Sequence, residues 1–247
     1  MCTIVLSLAP DTAWPLLFGA NRDERLDRPW DAPGRHWPDR PQVIGGRDRL
    51  AGGSWLAIND SGVVAGVMNR VGSLGPTPGK RSRGELPLLA LDHPTAAQAA
   101  RALAALDAGA WRSFNMIVAD RRAAYYISGL GYGTPDVAQL EPGVHMAATT
   151  GPDDLSIPRI GRHLPRFCDA ARPLPPDWAS WTRLLSDRTL PAGSELNIPP
   201  RSGFGTCSSS VIGIAADPAA PASWHFAAGA PDRVGYAPVM LDAPSIP

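Results

Sequence analysis

The chain opens on a two-residue alternation. In Cys2–Ala9, the residues Cys2, Ile4, Leu6 and Leu8 share one face, the pattern of a half-buried strand. After a Pro10-Asp11 turn, Trp14–Ala20 reads as a second strand, so the N-terminus predicts a hairpin. From Asn21 to Arg49 the chain is rich in Arg, Asp, Pro and Gly and predicts a long irregular loop. Loops of that length inside a compact domain are often functional. Gly53–Asn59 and Val63–Met68 form a second hairpin across Asp60-Ser61-Gly62, and Asn69–Arg83 is another glycine- and proline-rich loop. Thr95–Leu106 has helical apolar spacing behind a Thr N-cap. Phe114–Ala119 and Ala123–Ser128 predict a third hairpin, and Val144–Ala148 a further strand. Helices are expected at about 157–171 and 177–187, the second with Trp178, Trp181, Leu184 and Leu185 as its buried stripe. Cys207–Ala215 and Ser223–Ala228 close the pattern as strands. Antiparallel hairpins with helices inserted between them predict an α+β fold with helices covering sheet faces.

Composition narrows the function. The 247 residues show no linker and no repeat, so a single domain spanning 1–247 is expected. Hydrophobic content of 44% is ample for a core. With 23 basic and 23 acidic residues there is no electrostatic case for nucleic acid or an anionic membrane as partner. Lys80 is the only lysine; the dominance of arginine, with many Ala and Pro, reads most simply as GC-rich codon usage. Cys2, Cys168 and Cys207 form no CxxC pair, and the five histidines show no HxxxH or HxH spacing, so neither a metal site nor a disulfide framework is expected. No apolar run approaches the ~18 residues of a membrane span. The first ten residues lack the basic region of a signal peptide, so the expected location is the cytoplasm, with thiols reduced.

Candidate chemistry centres on Cys2. A small second residue favours removal of the initiator Met, which would leave a thiol and a free α-amine on one residue. In model peptides these titrate near ~8.5 and ~8, so one residue would supply both nucleophile and base. Asn21-Arg22-Asp23-Glu24 lies directly after the second strand, close in the hairpin to Cys2. A carboxylate there would hold and orient the α-amine, as the third member of a triad does; Arg22 would orient a substrate carbonyl or pair with Asp23. Asn69, ending AGVMN, is placed either as an oxyanion donor or as a turn cap. Asn21, Arg70 and Trp55, in the same motifs, are candidate substrate contacts.

These segments carry a resemblance. MCTIVLSL, LLFGANRDERLDRP, GGSWLAINDSGVVAGVMNRVG, SRGEL and FNMIVAD, in this order over about the first 130 residues, resemble the NRDE family, the family of transport and Golgi organisation protein two. That family is similar to the N-terminal-nucleophile hydrolases near the choloylglycine hydrolases and penicillin V acylases. The resemblance implies a four-layer αββα sandwich of two mainly antiparallel sheets, with Cys2 at the end of a central strand. It implies roles for Asp23 and Asn69, and places Ala20 where the acylases carry arginine, two residues before Arg22. It also places Thr150 at a second oxyanion position, where the acylases carry asparagine. Gly205-Thr206-Cys207 stands where many members read Gly-Thr-Arg, so a cation is missing there unless Arg201 supplies it. The expected activity is cleavage of a small-molecule amide C–N bond through an acyl-enzyme on Cys2, with Asp23, Asn69, Arg22 and Thr150 assisting and no metal or organic cofactor. The alternative is a non-enzymatic lipid, acyl-thioester or haem binder, although no histidine stands out as an axial ligand.

Overall fold

The structure, a computed structural model, describes residues 2–189 and 191–241. Two antiparallel sheets form its centre. The first contains β1 (Thr3–Leu8), β2 (Leu16–Arg25), β10 (Gly143–Ala147), β11 (Phe204–Ile214), β12 (Ser223–Ala227) and β13 (Ala237–Pro238), in the order β10-β1-β2-β11-β12-β13. The second contains β3 (Trp30–Gly34), β4 (Val43–Asp48), β5 (Ser54–Asn59), β6 (Val64–Asn69), β7 (Phe114–Ala119), β8 (Ala124–Gly129) and β9 (Asp136–Leu140), a meander in which each strand pairs with its neighbour in sequence.

The predicted alternation sets the layers. Ile4, Leu6 and Leu8 of β1 and Leu16 and Phe18 of β2 meet Ile44, Leu56, Ile58, Val64 and Met68 in a core between the sheets. The opposite face of the second sheet is covered by α1 (Glu85–Leu91) and α2 (Ala96–Ala104), around Trp111, Phe114, Leu86 and Leu103. The outer face of the first sheet is covered by α3 (Pro158–Asp169) and α4 (Ala179–Leu185), around Val5, Leu17, Phe167 and Trp181. Complete burial of side chains such as Leu6, Phe18 and Trp181 contributes about 1.5–3 kcal/mol each. The result is a four-layer αββα sandwich.

Several local expectations hold. Thr95 caps α2, its side chain accepting from the Gln98 N–H at 3.2 Å. Trp181, Leu184 and Leu185 are the buried residues of α4. The expected long loop at 21–49 is corrected: it holds the end of β2 and all of β3 and β4. Its charges mislead a reading by polarity, because Arg22 and Asp23 are buried and find partners across the layers. The sequence reading also passed over α1 and β9. Pro87 lies in the first turn of α1, where no intrahelical N–H bond is lost, and β9 is an edge strand exposed along most of its length. In β4, Gly46 is needed for contact: a Cβ there would lie 2.2 Å from the ring of Trp55, which lies across it.

Candidate active site

Cys2 immediately precedes β1, and alternation points its side chain between the sheets, on the same face as Ile4. It is half-buried and packs against the inter-sheet core. Thr3 pairs with Asn21 of β2, and Ile4 pairs with Ala147 of β10. Continuing both registers by a residue or two sets Cys2 between Arg22 on one side and Thr149 on the other. Burial pushes the Cys2 thiol up, and the Asp23 carboxylate adds to that rise; the Asp23 backbone N–H and the Arg22 guanidinium act in the opposite sense.

The tetrapeptide divides by strand parity. Arg22 faces inward with Cys2, whereas Asn21 and Asp23 face the helices. Asp23 is fixed from two directions: Arg159 Nη1 of α3 donates to Oδ2 at 3.0 Å, and Thr206 Oγ1 of β11 donates to Oδ1 at 2.6 Å. The same Arg159 nitrogen donates to Thr3 Oγ1 at 2.7 Å, tying this ion pair to the residue next to Cys2. Both members of the pair are buried, so removing either takes a charge partner from the other in the interior.

Arg22 Nη1 lies 3.3 Å from Cys207 Sγ, its guanidinium carbon 4.2 Å from the centre of the Trp55 ring, and Nη2 3.8 Å from Asp48. Trp55 is braced edge-on by Trp30, with ring centres 5.9 Å apart. Cys207 sits at a bulge where β11 shifts register against β2, and its thiol donates to the Arg22 carbonyl at 3.4 Å. Burial pushes that thiol up to about 11, and the nearby Cys2 and Asp23 add to the rise against the pull of Arg22. A guanidinium therefore does lie beside Cys207, carried by Arg22. Arg201 does not supply it, being paired with Glu195 at 2.8 Å.

Asn69 ends β6 opposite Phe114, half-buried, and strand parity puts its side chain on the helix-covered face with Val67, away from the face that holds Cys2; its expected place beside the nucleophile is corrected. The adjacent Asn115 of β7 was missed by the sequence reading, although a polar residue inside an apolar strand was a usable signal. Its Nδ2 donates to the carbonyls of Ala148 at 3.0 Å and Thr150 at 2.8 Å, joining the second sheet to the segment that runs past Cys2. Arg70 Nη1 donates to Asn115 Oδ1 at 2.7 Å, and Tyr126 Oη donates to the Thr150 carbonyl at 2.9 Å. The Thr150 hydroxyl is buried, and the pKa of the nearby Asp154 carboxylate is held down by Ser156 and by this hydroxyl. Asn21 is corrected as a substrate contact. Its Nδ2 donates to the Leu185 and Leu196 carbonyls, both at 2.9 Å, and its Oδ1 accepts from Ser209 Oγ at 2.6 Å. It is a buried crosslink holding α4 and the 196 segment to the sheet. Arg159 and Thr206 were not anticipated; they lie 136 and 183 residues from Asp23 along the chain, and nothing local marks them as its partners.

The layered arrangement is that of the N-terminal-nucleophile hydrolases. The chain is similar to the Caenorhabditis elegans N-acylethanolamine-hydrolyzing acid amidase ortholog, with 15% identity and a TM-score of 0.58 over 89% of this chain and 94% of that one. It is also similar to two variants of the conjugated bile acid hydrolase of Clostridium perfringens. Each is 10% identical with a TM-score of 0.54, covering 92% of this chain and 88% and 89% of those chains. Identities this low establish the fold alone. Residues 1–218 match the family described as Transport and Golgi organisation 2, and the chain belongs to that family. No curated protein sequence matches it. Among the described residues, no helix is long and apolar enough to cross a membrane.

Proposed function

We propose that this protein is an N-terminal cysteine hydrolase that cleaves the C–N bond of a small-molecule amide in the cytoplasm. The observation that carries the reading is the position of Cys2. It stands at the head of a central strand, facing between the sheets, with Arg22 on one flank, the Thr149-Thr150 segment on the other and a pinned Asp23 beside it. The fold neighbours support it, being an amidase and a conjugated bile acid hydrolase by name.

Once Met1 is removed, the Cys2 α-amine takes the thiol proton, through a water, and Sγ attacks the amide carbonyl. The Thr150 hydroxyl donates to the developing oxyanion; such a donor is typically worth about 3–4 kcal/mol. Asp23, held by Arg159 and Thr206, fixes the amine. Arg22 keeps a positive charge at the site, its guanidinium positioned by the Trp55 face and Cys207. Collapse expels the amine product, which takes its proton from the α-ammonium. Water, deprotonated by the same amine, then hydrolyses the thioester.

The packing of half-buried Cys2 against the inter-sheet core favours a second reading, a non-enzymatic lipid, acyl-thioester or haem binder on the same scaffold. Intact mass and iodoacetamide mapping at neutral pH decide between them. The hydrolase reading expects a chain lacking Met1 whose Cys2 labels rapidly, well ahead of Cys168 and Cys207. Retained Met1, or equally slow labelling at all three thiols, overturns it.

A further inference from the structure

The sandwich has a second mouth at the end away from Cys2. β6 runs from Val64 to Asn69, so its two ends lie about 17 Å apart at the usual rise per residue. At the Val64 end, the β5–β6 turn, the β7–β8 turn and the end of β11 surround a cavity of about 190 Å³. Its walls include Ile44, Ile58 and Ile214 of the inter-sheet core, with Leu241 packed alongside. The connection from Ala215 to Ala222 between β11 and β12 contains only Ala, Pro and one Asp. No long side chain reaches inward from it, which is the physical reason the space stays open.

Arg121, in the β7–β8 turn, also lines the cavity. Its Nε donates to the Ala215 carbonyl at 3.1 Å, and it makes no ion pair among the described residues. Asp60 lines the cavity too, but is paired with Arg35 at 2.8 Å. Gly62, with a φ of 83°, leaves room for the guanidinium: a Cβ there would lie 3.2 Å from Arg121 Nη2. The half-buried guanidinium shares the cavity wall with Asn59 and Asp60 and has no acid partner among the described residues, which leaves its donor fork open to an anion. A carboxylate matches its planar donor fork. Size sets the rest of the ligand, since an apolar cavity of about 150 Å³ accepts one benzene.

We propose that this cavity is a second binding site, separate from Cys2, for a small monocarboxylate with a compact apolar body. The carboxylate pairs with Arg121, and the body packs against Ile44, Ile58 and Ile214. Titration calorimetry with sodium hexanoate, and with 1-hexanol as the uncharged comparator, tests the assignment. Hexanoate is expected to bind the wild type one-to-one and at least tenfold more tightly than hexanol. Arg121→Gln is expected to weaken hexanoate at least tenfold, and Ala220→Phe, which fills the space from the β11–β12 connection, to abolish binding. Protein whose Cys2 has been alkylated is expected to bind hexanoate unchanged. Equal binding of the acid and the alcohol, or undiminished binding by Arg121→Gln, overturns the proposal. Loss of binding on alkylation overturns it as well, because it places hexanoate at Cys2. If Ala220→Phe does not fold, the Arg121→Gln and hexanol comparisons still decide.

Discussion

The two ends of this sandwich share one pair of sheets but hold charge in opposite ways. At the Cys2 end the buried charges come in pairs: Asp23 with Arg159, and Arg22 against Asp48 and the Trp55 face. At the far end a connection of small residues leaves a void, and Arg121 makes no ion pair among the described residues. Paired, desolvated charges fix geometry, because shifting either partner exposes the other to an apolar interior. A lone charge at the edge of a void leaves a vacancy for an outside anion. The same scaffold thus holds its charges paired at one end and leaves a void beside an arginine at the other, the contrast on which the two proposals rest.

The largest effect expected from breaking this contrast is on turnover. Cys2→Ala should reduce amide hydrolysis by roughly three orders of magnitude or more, with little change in thermal midpoint, since one half-buried sulfur is removed. Activity near wild type in that variant would remove Cys2 from the chemistry.

Next come the two arginines, read by urea unfolding. Arg159→Leu, or Asp23→Asn, should cost about 3–5 kcal/mol by breaking a buried ion pair on one side. Replacing both by Leu and Met should recover much of that loss. Arg121→Gln at the far end should lie within about 0.5 kcal/mol of wild type. Similar losses at the two ends would erase the contrast.

Acid should sharpen it. His163 lies one helical turn beyond Arg159 on α3, fully buried, its ring bonded to the Ser194 carbonyl at 2.8 Å and to Arg166 at 3.0 Å. With Arg166 donating to Nδ1, the ring is neutral and Nε2–H donates to Ser194. Burial, with Arg166 and Arg162 nearby, lowers its pKa to about 4. The unfolded chain titrates near ~6.5 and binds the proton first, so this contribution is complete above that pH and declines as pH falls toward 4. The loss should be about 1–3 kcal/mol. Hydrogen exchange should show α3 loosening before β5 and β6, and His163→Gln should flatten stability between pH 4 and 6.5. An unchanged slope in that variant would exclude His163 as the cause.

Much of the site was legible as pattern. The alternation of Cys2, Ile4, Leu6 and Leu8 gave the inward face of β1, and AGVMN gave Asn69 at a strand end. Asn21 departs from its expected role because the polarity of the tetrapeptide predicts a loop where β2 continues. Once β2 is seen to continue to Arg25, parity alone separates inward Arg22 from outward Asn21 and Asp23. Asn115 was visible as a polar residue in an apolar strand, but its target carbonyls at Ala148 and Thr150 were not.

Side-chain periodicity is a property of the local backbone, so the chain by itself determined the hairpins, the inward faces and a cysteine at the start of the first strand. Tertiary structure decided which charges are neutralised: Thr206 reaches Asp23 only when β11 pairs with β2, and Arg159 only when α3 packs over that sheet. Burial makes those pairings consequential, and burial exists only once segments more than a hundred residues apart have packed together.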